Sequence, residues 1–492
     1  MNTIRQCFIL ALGLLFFAVY PMTEGYTASL TPLRVVVDLG IGEVREVRLP
    51  DGSTITVQLH NILATRDNVT RAVRSAGATL SINGQQVTVA TGTYTLPITV
   101  GQVKLDCPVT RDYYPGSQQD DWHLVGDARI RLWPAGSPYI QPGTFTYPVK
   151  QRIFASDTQM SNEPAFVNGK EYPRPTIYYH EGLDFGGAEG TDEVVAAADG
   201  LILSANTQRI DGYEDYHTFL KAGVIYMLDD RGWLLSYNHL YSVDSAVKPG
   251  VRVKQGQTLG RMGKEGLSGG YTHLHFKIRS RTTSGEWATE EAYPFIWEAY
   301  HRQYNPSVIA IARPHHLAKV GETVTLDGNK SWNAASFEWS LSMGMRALGP
   351  VQQIRYERPG TYSEILKVTD AQGQVDYDFA VVQVVNPELD SARVMPPTIH
   401  AAYHPTQNIR ANDAITFMVR SFNVDGYGKE TWDFGDGSPA VTVQSLWGDN
   451  HNPDGYASTK HHYSRPGDYI VTVSRSNKYG DTATAHLHIE VI

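Results

Sequence analysis

Residues 176–187, T-I-Y-Y-H-E-G-L-D-F-G-G, hold a histidine, a glutamate and an aspartate in the pattern His-Glu-x-x-Asp. This pattern differs at its last position from His-Glu-x-x-His, which binds a metal only when a helix brings both histidines to one side. Glycines inside and after the stretch, and prolines just before it, disfavour a helix. We therefore predict a strand or loop in which His180 and Asp184 carry the chemistry and Glu181 is not a catalytic base.

The composition of the chain predicts several domains built from β-strands. Its 492 residues, 41% of them hydrophobic, suffice for several ordinary cores. Short runs of β-branched and aromatic residues alternate with turns that use many of the 44 glycines and 26 prolines, and helical periodicity is scarce. A net charge of -9 without a cluster of lysines and arginines disfavours nucleic acids and anionic membranes as partners.

Residues 1–25 have the order of a secretory signal peptide: an early arginine, an apolar run over residues 7–20, and a small residue before Tyr26. The apolar run is short for a membrane span of ~20 residues, so we expect export without stable membrane insertion after the signal is removed. Removal leaves Cys107 as the single cysteine, which excludes an intramolecular disulfide.

The next two regions differ in their content of candidate catalytic residues. Residues 26–148 predict an N-terminal β-domain without a catalytic cluster, in which Asp51-Gly52 and Asn83-Gly84 mark two-residue β-hairpins. Residues 149–304 contain the opening stretch. Near their end, Pro294 and the acidic residues before it predict a helix N-terminus.

The C-terminal part of the chain contains an internal repeat. The pattern Tyr-x-Arg-Pro-Gly-x-Tyr occurs at residues 356–362 and again at 463–469, each time followed by an alternating, strand-like run. Trp339 and Trp432 precede the two copies. Such self-similarity predicts two copies of one β-module.

The second copy resembles the polycystic-kidney-disease (PKD) type of immunoglobulin-like module through W-D-F-G-D-G, residues 432–437, and the Pro-Gly-x-Tyr turn that follows. The first copy reads W-S-L-S-M-G and lacks both aspartates, so we expect a degenerate module there. The resemblance implies two immunoglobulin-like β-sandwich modules, at residues 305–390 and 391–492.

Three histidines accompany the opening stretch. His273 and His275 are two residues apart in an alternating run, so both side chains leave the same face of a predicted strand. His239 lies in another strand-like run, G-W-L-L-S-Y-N-H-L-Y-S. If His180 and Asp184 are two zinc ligands, a third nitrogen or oxygen ligand is needed, with one position left for water.

The segments H-E-G-L-D, Y-N-H-L and T-H-L-H-F, in this order, resemble the lysostaphin/LytM-type zinc metallopeptidases over about a fifth of the chain. The resemblance implies a β-sandwich core of the duplicated hybrid motif type within an all-β, multidomain protein. It also implies one Zn2+ bound by His180, Asp184 and His275. His239 and His273 would be the catalytic pair that orients the water and takes its proton, which a histidine of ordinary pKa does near neutral pH.

The function implied by this resemblance is that of an exported bacterial zinc metalloendopeptidase, secreted or held in the periplasm or cell envelope. It would hydrolyse peptide bonds in peptidoglycan stems or cross-bridges. Two alternatives stay open: a zinc endopeptidase for Gly-rich extracellular proteins, and a non-catalytic cell-wall binding or regulatory protein. Loss of a ligand would indicate the last, and no ligand is missing here. The sequence leaves open the oligomeric state, the bond that is cut and the ligand of the PKD-type modules.

The sequence departs from the family pattern at three places. Thr272 stands where a proline is frequent and Lys277 where a glutamate is frequent, and we expect both to affect only the rim of the site. The insertion at residues 206–223 is expected to lie beside the groove. The N-terminal β-domain directly precedes the first ligand, which raises the hypothesis that it covers the groove and keeps the enzyme latent.

A second His-Leu-His sequence, at His486 and His488, provides an internal comparison. No His-x-x-x-Asp accompanies it in the same module. We therefore expect ordinary, solvent-facing strand histidines at these two positions.

Overall fold

The computed structural model describes residues 29–113, 121–163, 179–216, 218–282, 284–389, 395–447 and 455–492. The predicted signal peptide lies outside these residues. Within them the chain consists mainly of strands, and the predicted all-β class is confirmed. No helix of this part combines the length and the apolar character that a membrane span requires.

Eight strands form the N-terminal region: β1 (Val35–Leu39), β2 (Val44–Arg48), β3 (Thr54–Arg66), β4 (Val73–Ile82), β5 (Gln85–Ala90), β6 (Ile98–Val100), β7 (Val103–Thr110) and β8 (Ala128–Pro134). They make two antiparallel sheets, ordered β1-β8-β7-β6 and β2-β3-β4-β5, around one apolar core. Hairpins form at both predicted places, but only the second has the predicted two-residue loop, between Ile82 and Gln85. In the first, the N–H of Leu49 donates to the carbonyl of Ser53, so the loop has three residues. Gly52, with a φ of 87°, lies in the turn between β2 and β3, while Asn83 and Gly84, with φ of 49° and 84°, join β4 to β5.

Eleven strands form the region around the opening stretch: β9 (Leu183–Gly186), β10 (Glu193–Val195), β11 (Gly200–Ala205), β12 (Gln208–Arg209), β13 (Ile225–Asp229), β14 (Leu234–Asn238), β15 (Leu240–Val243), β16 (Arg252–Val253), β17 (Thr258–Met262), β18 (His273–Arg281) and β19 (Trp287–Glu290). The main sheet is ordered β12-β11-β13-β14-β18-β19, with β16 paired to β11 and β9 paired to β18. A second sheet, β10-β17-β15, shares one apolar core with it. Phe145, Tyr147 and Val149 belong to this core, so the chain on both sides of residue 148 packs here.

The predicted helix is confirmed as α1 (Tyr293–Tyr304), with Pro294 in its first turn. Proline is tolerated there because the first helical N–H groups have no partner within the helix. The helix ends at Asn305, which has a φ of 44° and donates its N–H to the carbonyl of His301. Its buried face includes Phe295 and Ile296 and closes one side of the core.

Fourteen strands form the C-terminal part: β20 (His316–Lys319), β21 (Thr323–Asp327), β22 (Ser336–Leu341), β23 (Met345–Leu348), β24 (Val351–Arg355), β25 (Gly360–Thr369), β26 (Val375–Val385), β27 (Thr398–His404), β28 (Ile415–Phe422), β29 (Glu430–Asp433), β30 (Val441–Val443), β31 (Ala457–His461), β32 (Gly467–Ser476) and β33 (Thr482–Val491). Trp339 and Trp432 are fully buried in two separate cores. One sheet, ordered β20-β26-β25-β33-β32-β29-β30, runs through both cores because β25 and β33 pair in parallel.

The prediction that His486 and His488 face solvent is wrong. His488 is 6% exposed, and its Nε2 lies 2.7 Å from Oδ1 of Asp468. The ring of His486 lies 5.5 Å from that of Phe379, and the ring of His488 lies 4.7 Å from that of Tyr377. Both histidines are covered because β26 of the preceding core faces this strand.

Candidate metal and catalytic site

Strand pairing brings two of the predicted ligands together. β9 runs antiparallel to β18, and in this register Asp184 lies opposite His275 while Gly186 lies opposite His273. Alternate residues of a strand point to the same face, so His273 and His275 share one face of β18. His180 precedes β9 in a non-helical segment, which confirms that the opening stretch is strand and loop rather than helix.

The three predicted ligands meet at one point. Nε2 of His180 lies 2.9 Å from Nδ1 of His275. Both nitrogens lie 3.0 Å from Oδ1 of Asp184. The ligand atoms of this group all lie within 4.8 Å of one another, which is the arrangement expected of side chains that share a metal ion.

The donor set fits a zinc ion. Imidazole nitrogens and a carboxylate oxygen are usual zinc ligands, and catalytic sites use three protein ligands. Ligand atoms in a tetrahedral zinc site lie roughly 3.3 Å apart, given metal–ligand distances of about 2.0–2.1 Å. The separations of 2.9 and 3.0 Å found here differ from that spacing by only a few tenths of an ångström.

Ser161 and Asn162 hold the opening stretch in place, Ser161 through its backbone and Asn162 through its side chain. Nδ1 of His180 lies 3.1 Å from the carbonyl oxygen of Ser161 and donates its proton to it, which leaves the lone pair on Nε2. The side-chain oxygen of Asn162 accepts the N–H of Gly182 at 3.0 Å. Sequence reasoning missed this support, because a carbonyl group is present in every residue and gives no signal in the sequence.

Gly182 allows the opening stretch to approach β18 closely. Its φ is 127°, a conformation that side chains with a Cβ rarely adopt. A Cβ at this position would lie 2.9 Å from the carbonyl oxygen of Phe276 and 3.1 Å from Cε1 of His275. The glycine that argued against a helix is therefore the residue that permits contact between the two ligand segments.

The two predicted catalytic histidines lie side by side next to the ligands. The ring of His239 is 4.6 Å from that of His273 and 6.0 Å from that of His275. Nδ1 of His239 donates to the carbonyl of Glu265 at 2.6 Å, and Nδ1 of His273 donates to the carbonyl of Tyr271 at 3.1 Å. Because a carbonyl oxygen only accepts, each neutral ring carries its lone pair on Nε2.

His239 lies at a break between strands rather than inside one. Strand β14 ends at Asn238 and β15 begins at Leu240, and His239 between them has a φ of 67°. A residue with a Cβ is uncommon in this conformation, and such positions cluster at functional sites.

Tyr271 is a site residue that the sequence did not single out. Its hydroxyl donates to Oδ2 of Asp184 at 3.2 Å. Its ring stacks on the ring of His273, with centroids 4.3 Å apart and planes at 21°. Tyr271 therefore contacts a predicted ligand and a predicted catalytic histidine at once. The available signal was its place in the loop immediately before T-H-L-H-F.

Burial and the Asp184 carboxylate determine the ionisation of this group. Although burial opposes ionisation of Asp184, His180 and His273 hold its pKa well below its usual range. Against the effect of burial, Asp184 raises the pKa of His180 to about 9. Burial lowers the pKa of His273 well below its usual value, which differs from the ordinary pKa expected from the sequence.

Lys277 is buried in the wall of the site rather than exposed at its rim. Its side chain is 7% exposed, and Nζ lies 3.3 Å from Oδ1 of Asp121 and 3.4 Å from Oε1 of Glu181. Arg279 donates to the same oxygen of Asp121 at 3.1 Å. Two carboxyl groups and two basic groups thus form a partly buried cluster, and Glu181 serves as a partner of Lys277 within it.

A cleft of about 340 Å³, open to solvent, lies over these residues. Phe219, Lys221 and Ala222, from the insertion at residues 206–223, form part of its wall. The insertion therefore lies beside the groove, as expected from the sequence. No residue of the described range 29–113 lines this cleft.

Comparison with known proteins identifies two domains. The profile of Peptidase family M23 matches residues 178–286, and the profile of the PKD domain matches residues 401–491. The degenerate module at residues 305–390 stays a prediction.

Three solved structures are similar to parts of this chain. A protein assigned as glycyl-glycine endopeptidase lytM from Ruminococcus gnavus is 24% identical, with 32% of this chain and 61% of that chain covered and a TM-score of 0.22. This chain thus spans about three fifths of that structure. Csd3 from Helicobacter pylori is 13% identical, with 53% and 82% covered and a TM-score of 0.21. Fibronectin(III)-like modules of CbhA from Clostridium thermocellum are 12% identical, with 37% and 93% covered and a TM-score of 0.15.

The family profiles match the segments in which the sequence showed its two resemblances. The first profile spans the His-x-x-x-Asp and His-x-His residues of the site, and the second spans the W-D-F-G-D-G repeat. The chain therefore carries a peptidase domain of family M23 at residues 178–286 and a PKD domain at residues 401–491.

Proposed function

We propose that this protein is an exported zinc metalloendopeptidase that hydrolyses peptide bonds in the stems or cross-bridges of bacterial peptidoglycan. The observation that carries the proposal is the meeting of His180, Asp184 and His275 beneath a solvent-open cleft, with His239 and His273 beside them. The M23 profile supports a peptidase. The signal-like residues 1–25 support export.

His180, Asp184 and His275 would hold the metal. When bound, a zinc ion acidifies the attacking water to a pKa of about 7 and polarises the scissile carbonyl. Ser161 fixes the ring of His180 through its carbonyl, and the hydroxyl of Tyr271 orients the Asp184 carboxylate. Partners of this kind around metal ligands typically change metal affinity or activity by about 10–100-fold when they are removed.

His239 and His273 would carry out proton transfer. Hydrogen bonds from Nδ1 to the carbonyls of Glu265 and Tyr271 hold both rings in place and leave Nε2 as the basic nitrogen. A histidine held in this way accepts the proton of the attacking water and returns it to the leaving amine, which typically contributes about 10²–10⁴-fold to the rate. The loss of one of these rings should therefore slow hydrolysis while the three metal ligands remain.

The test is mass spectrometry of the soluble products after zinc-loaded protein is incubated with purified peptidoglycan. Wild-type protein is expected to release stem or cross-bridge peptides. His273→Ala is expected to bind zinc and release none, whereas His462→Ala, which replaces an exposed histidine of the PKD domain, should match the wild type.

Intact peptidoglycan at full zinc loading would contradict the proposal. Cleavage of a Gly-rich protein in the same assay would then favour an extracellular protein substrate. Binding of peptidoglycan without cleavage of either substrate would favour a non-catalytic cell-wall protein.

A further inference from the structure

The PKD domain contacts the peptidase domain at the loop that leads into β18. The backbone N–H of Thr272 donates to the hydroxyl of Tyr456 at 2.7 Å. Arg420, which is 1% exposed, donates from Nη1 to the carbonyl of Gly270 at 2.9 Å. The backbone of this loop is thus bound at two positions, Gly270 and Thr272, by side chains that lie in the other domain.

The Tyr456 hydroxyl is itself fixed by a histidine near the start of the same domain. It lies 2.7 Å from Nδ1 of His400, which is 4% exposed. Burial lowers the pKa of His400 to about 3, so the ring is neutral. The hydroxyl oxygen of Tyr456 is held between Nδ1 of His400 and the N–H of Thr272, from which it accepts a hydrogen bond.

The loop held in this way carries Tyr271. The ring of His400 lies 5.6 Å from the ring of Tyr271, and the ring of His273 stacks on Tyr271. The hydroxyl of Tyr271 reaches Asp184. A continuous series of contacts therefore runs from Tyr456 to a predicted metal ligand and a predicted catalytic histidine.

We propose that Tyr456 and Arg420 of the PKD domain are positioning residues of the peptidase site, which act by holding residues 269–272 so that Tyr271 orients Asp184 and His273. This proposal rests on the proposed function, because it assigns a role in the same site. It also gives the PKD domain a role in the peptidase site, which is incomplete without it.

The test compares Tyr456→Phe with Tyr427→Phe, a matched control that removes a hydroxyl from a tyrosine of the same domain that is 55% exposed. Losing one hydrogen bond of about 1 kcal/mol should lower kcat by about fivefold at saturating zinc, with KM within about twofold. Hydrogen exchange at the Thr272 amide should accelerate in Tyr456→Phe only. The control should match the wild type in both measurements.

A second arm examines whether Tyr456 acts through Tyr271. Tyr271→Phe removes the hydrogen bond to Asp184, and its combination with Tyr456→Phe should lower kcat by less than the product of the two single effects. If the two substitutions lowered kcat independently, so that their effects multiplied, the proposal that Tyr456 acts through Tyr271 would be overturned. Unchanged exchange at Thr272, or faster exchange with unchanged kcat, would overturn the positioning role.

The outcome stays distinguishable from failure of the proposed function. If the wild-type protein cleaves none of the substrates, the proposed function fails, and zinc affinity measured against a competing chelator replaces kcat. Weaker zinc binding by Tyr456→Phe, with the affinity of Tyr427→Phe unchanged, would support positioning of the ligand group. Equal zinc affinities in all three proteins would overturn it.

Discussion

Asp184 and His275 face each other across the antiparallel pair β9 and β18, although 91 residues separate them in the chain. The ligand group is therefore part of the hydrogen-bond register of the main sheet. A shift of this pairing by one residue would turn His275 to the opposite face of β18. Metal binding and the fold of the peptidase domain should consequently depend on each other, as is usual for metal sites.

The first prediction concerns the ligands. His275→Ala should lower bound zinc from about one ion per chain to less than about 0.1, because two remaining ligands hold the metal weakly. Hydrolysis should fall by at least about a thousandfold. Elemental analysis of dialysed protein and a peptide-release assay measure both effects. Retained zinc at the wild-type level would show that His275 is not a ligand.

The second prediction concerns Gly182. Gly182→Ala should cost roughly 3 kcal/mol of unfolding free energy, since strain at a positive φ adds to the short contacts with Phe276 and His275. Gly212→Ala is the matched control, because its φ is 83° and nothing lies within 4 Å of the added Cβ. It should lose only about 1 kcal/mol. Urea denaturation of the two variants separates the cost of the close contacts from the cost of the backbone strain. Equal losses of unfolding free energy in both variants would show that the close contacts at Gly182 cost nothing.

The third prediction concerns pH. Burial raises the pKa of Glu291 to about 7, against an unfolded value of about 4.5. The folded protein then binds one more proton than the unfolded chain between these values, so this group makes stability fall as pH rises from about 4.5 to 7. The contribution amounts to about 3 kcal/mol.

Glu291→Gln should flatten this slope, because the amide resembles the protonated carboxyl group. Denaturant titrations at pH 5 and pH 7.5, with chelator present in both proteins, compare wild type and variant without a contribution from metal binding. Identical slopes would show that Glu291 titrates alike in the folded and unfolded chains. Glu291 accepts a hydrogen bond from Asn162, whose oxygen holds Gly182, so the variant also reports on support of the ligand segment.

The fourth prediction concerns the buried charges. Lys277→Met should cost about 3–5 kcal/mol, because it leaves Glu181 buried without its cation. The double variant Lys277→Met with Glu181→Gln should recover part of that loss, since Asp121 retains Arg279. Thermal and urea unfolding of the four proteins of this cycle provide the measurement. If Lys277→Met alone were as stable as the wild type, Lys277 would not be needed to balance Glu181.

Much of the site could be predicted from residue types and spacing. His273 and His275 share a face because strand geometry alternates, and Gly182 with its neighbouring prolines excluded a helix. The rim positions were harder to judge. Lys277 resembles an exposed charge in the sequence, but β18 has paired strands on both sides, and Asp121 from the preceding region contacts the lysine. The wrong prediction for His488 has the same cause. Its alternating strand pattern predicts a solvent-facing side chain, but Tyr377 of β26 covers it in the folded protein.

The sequence by itself determined the all-β class, the internal repeat, both hairpins, the helix at Pro294 and the five residues that meet at the site. Each of these follows from local geometry or from a short motif. Only the tertiary structure decided which backbone carbonyls orient the histidines, that Tyr271 joins Asp184 to His273, and that Tyr456 of the PKD domain holds the loop between them. Most of these contacts join residues distant in the chain through backbone atoms and common side chains, so their formation depends on how the strands and domains pack.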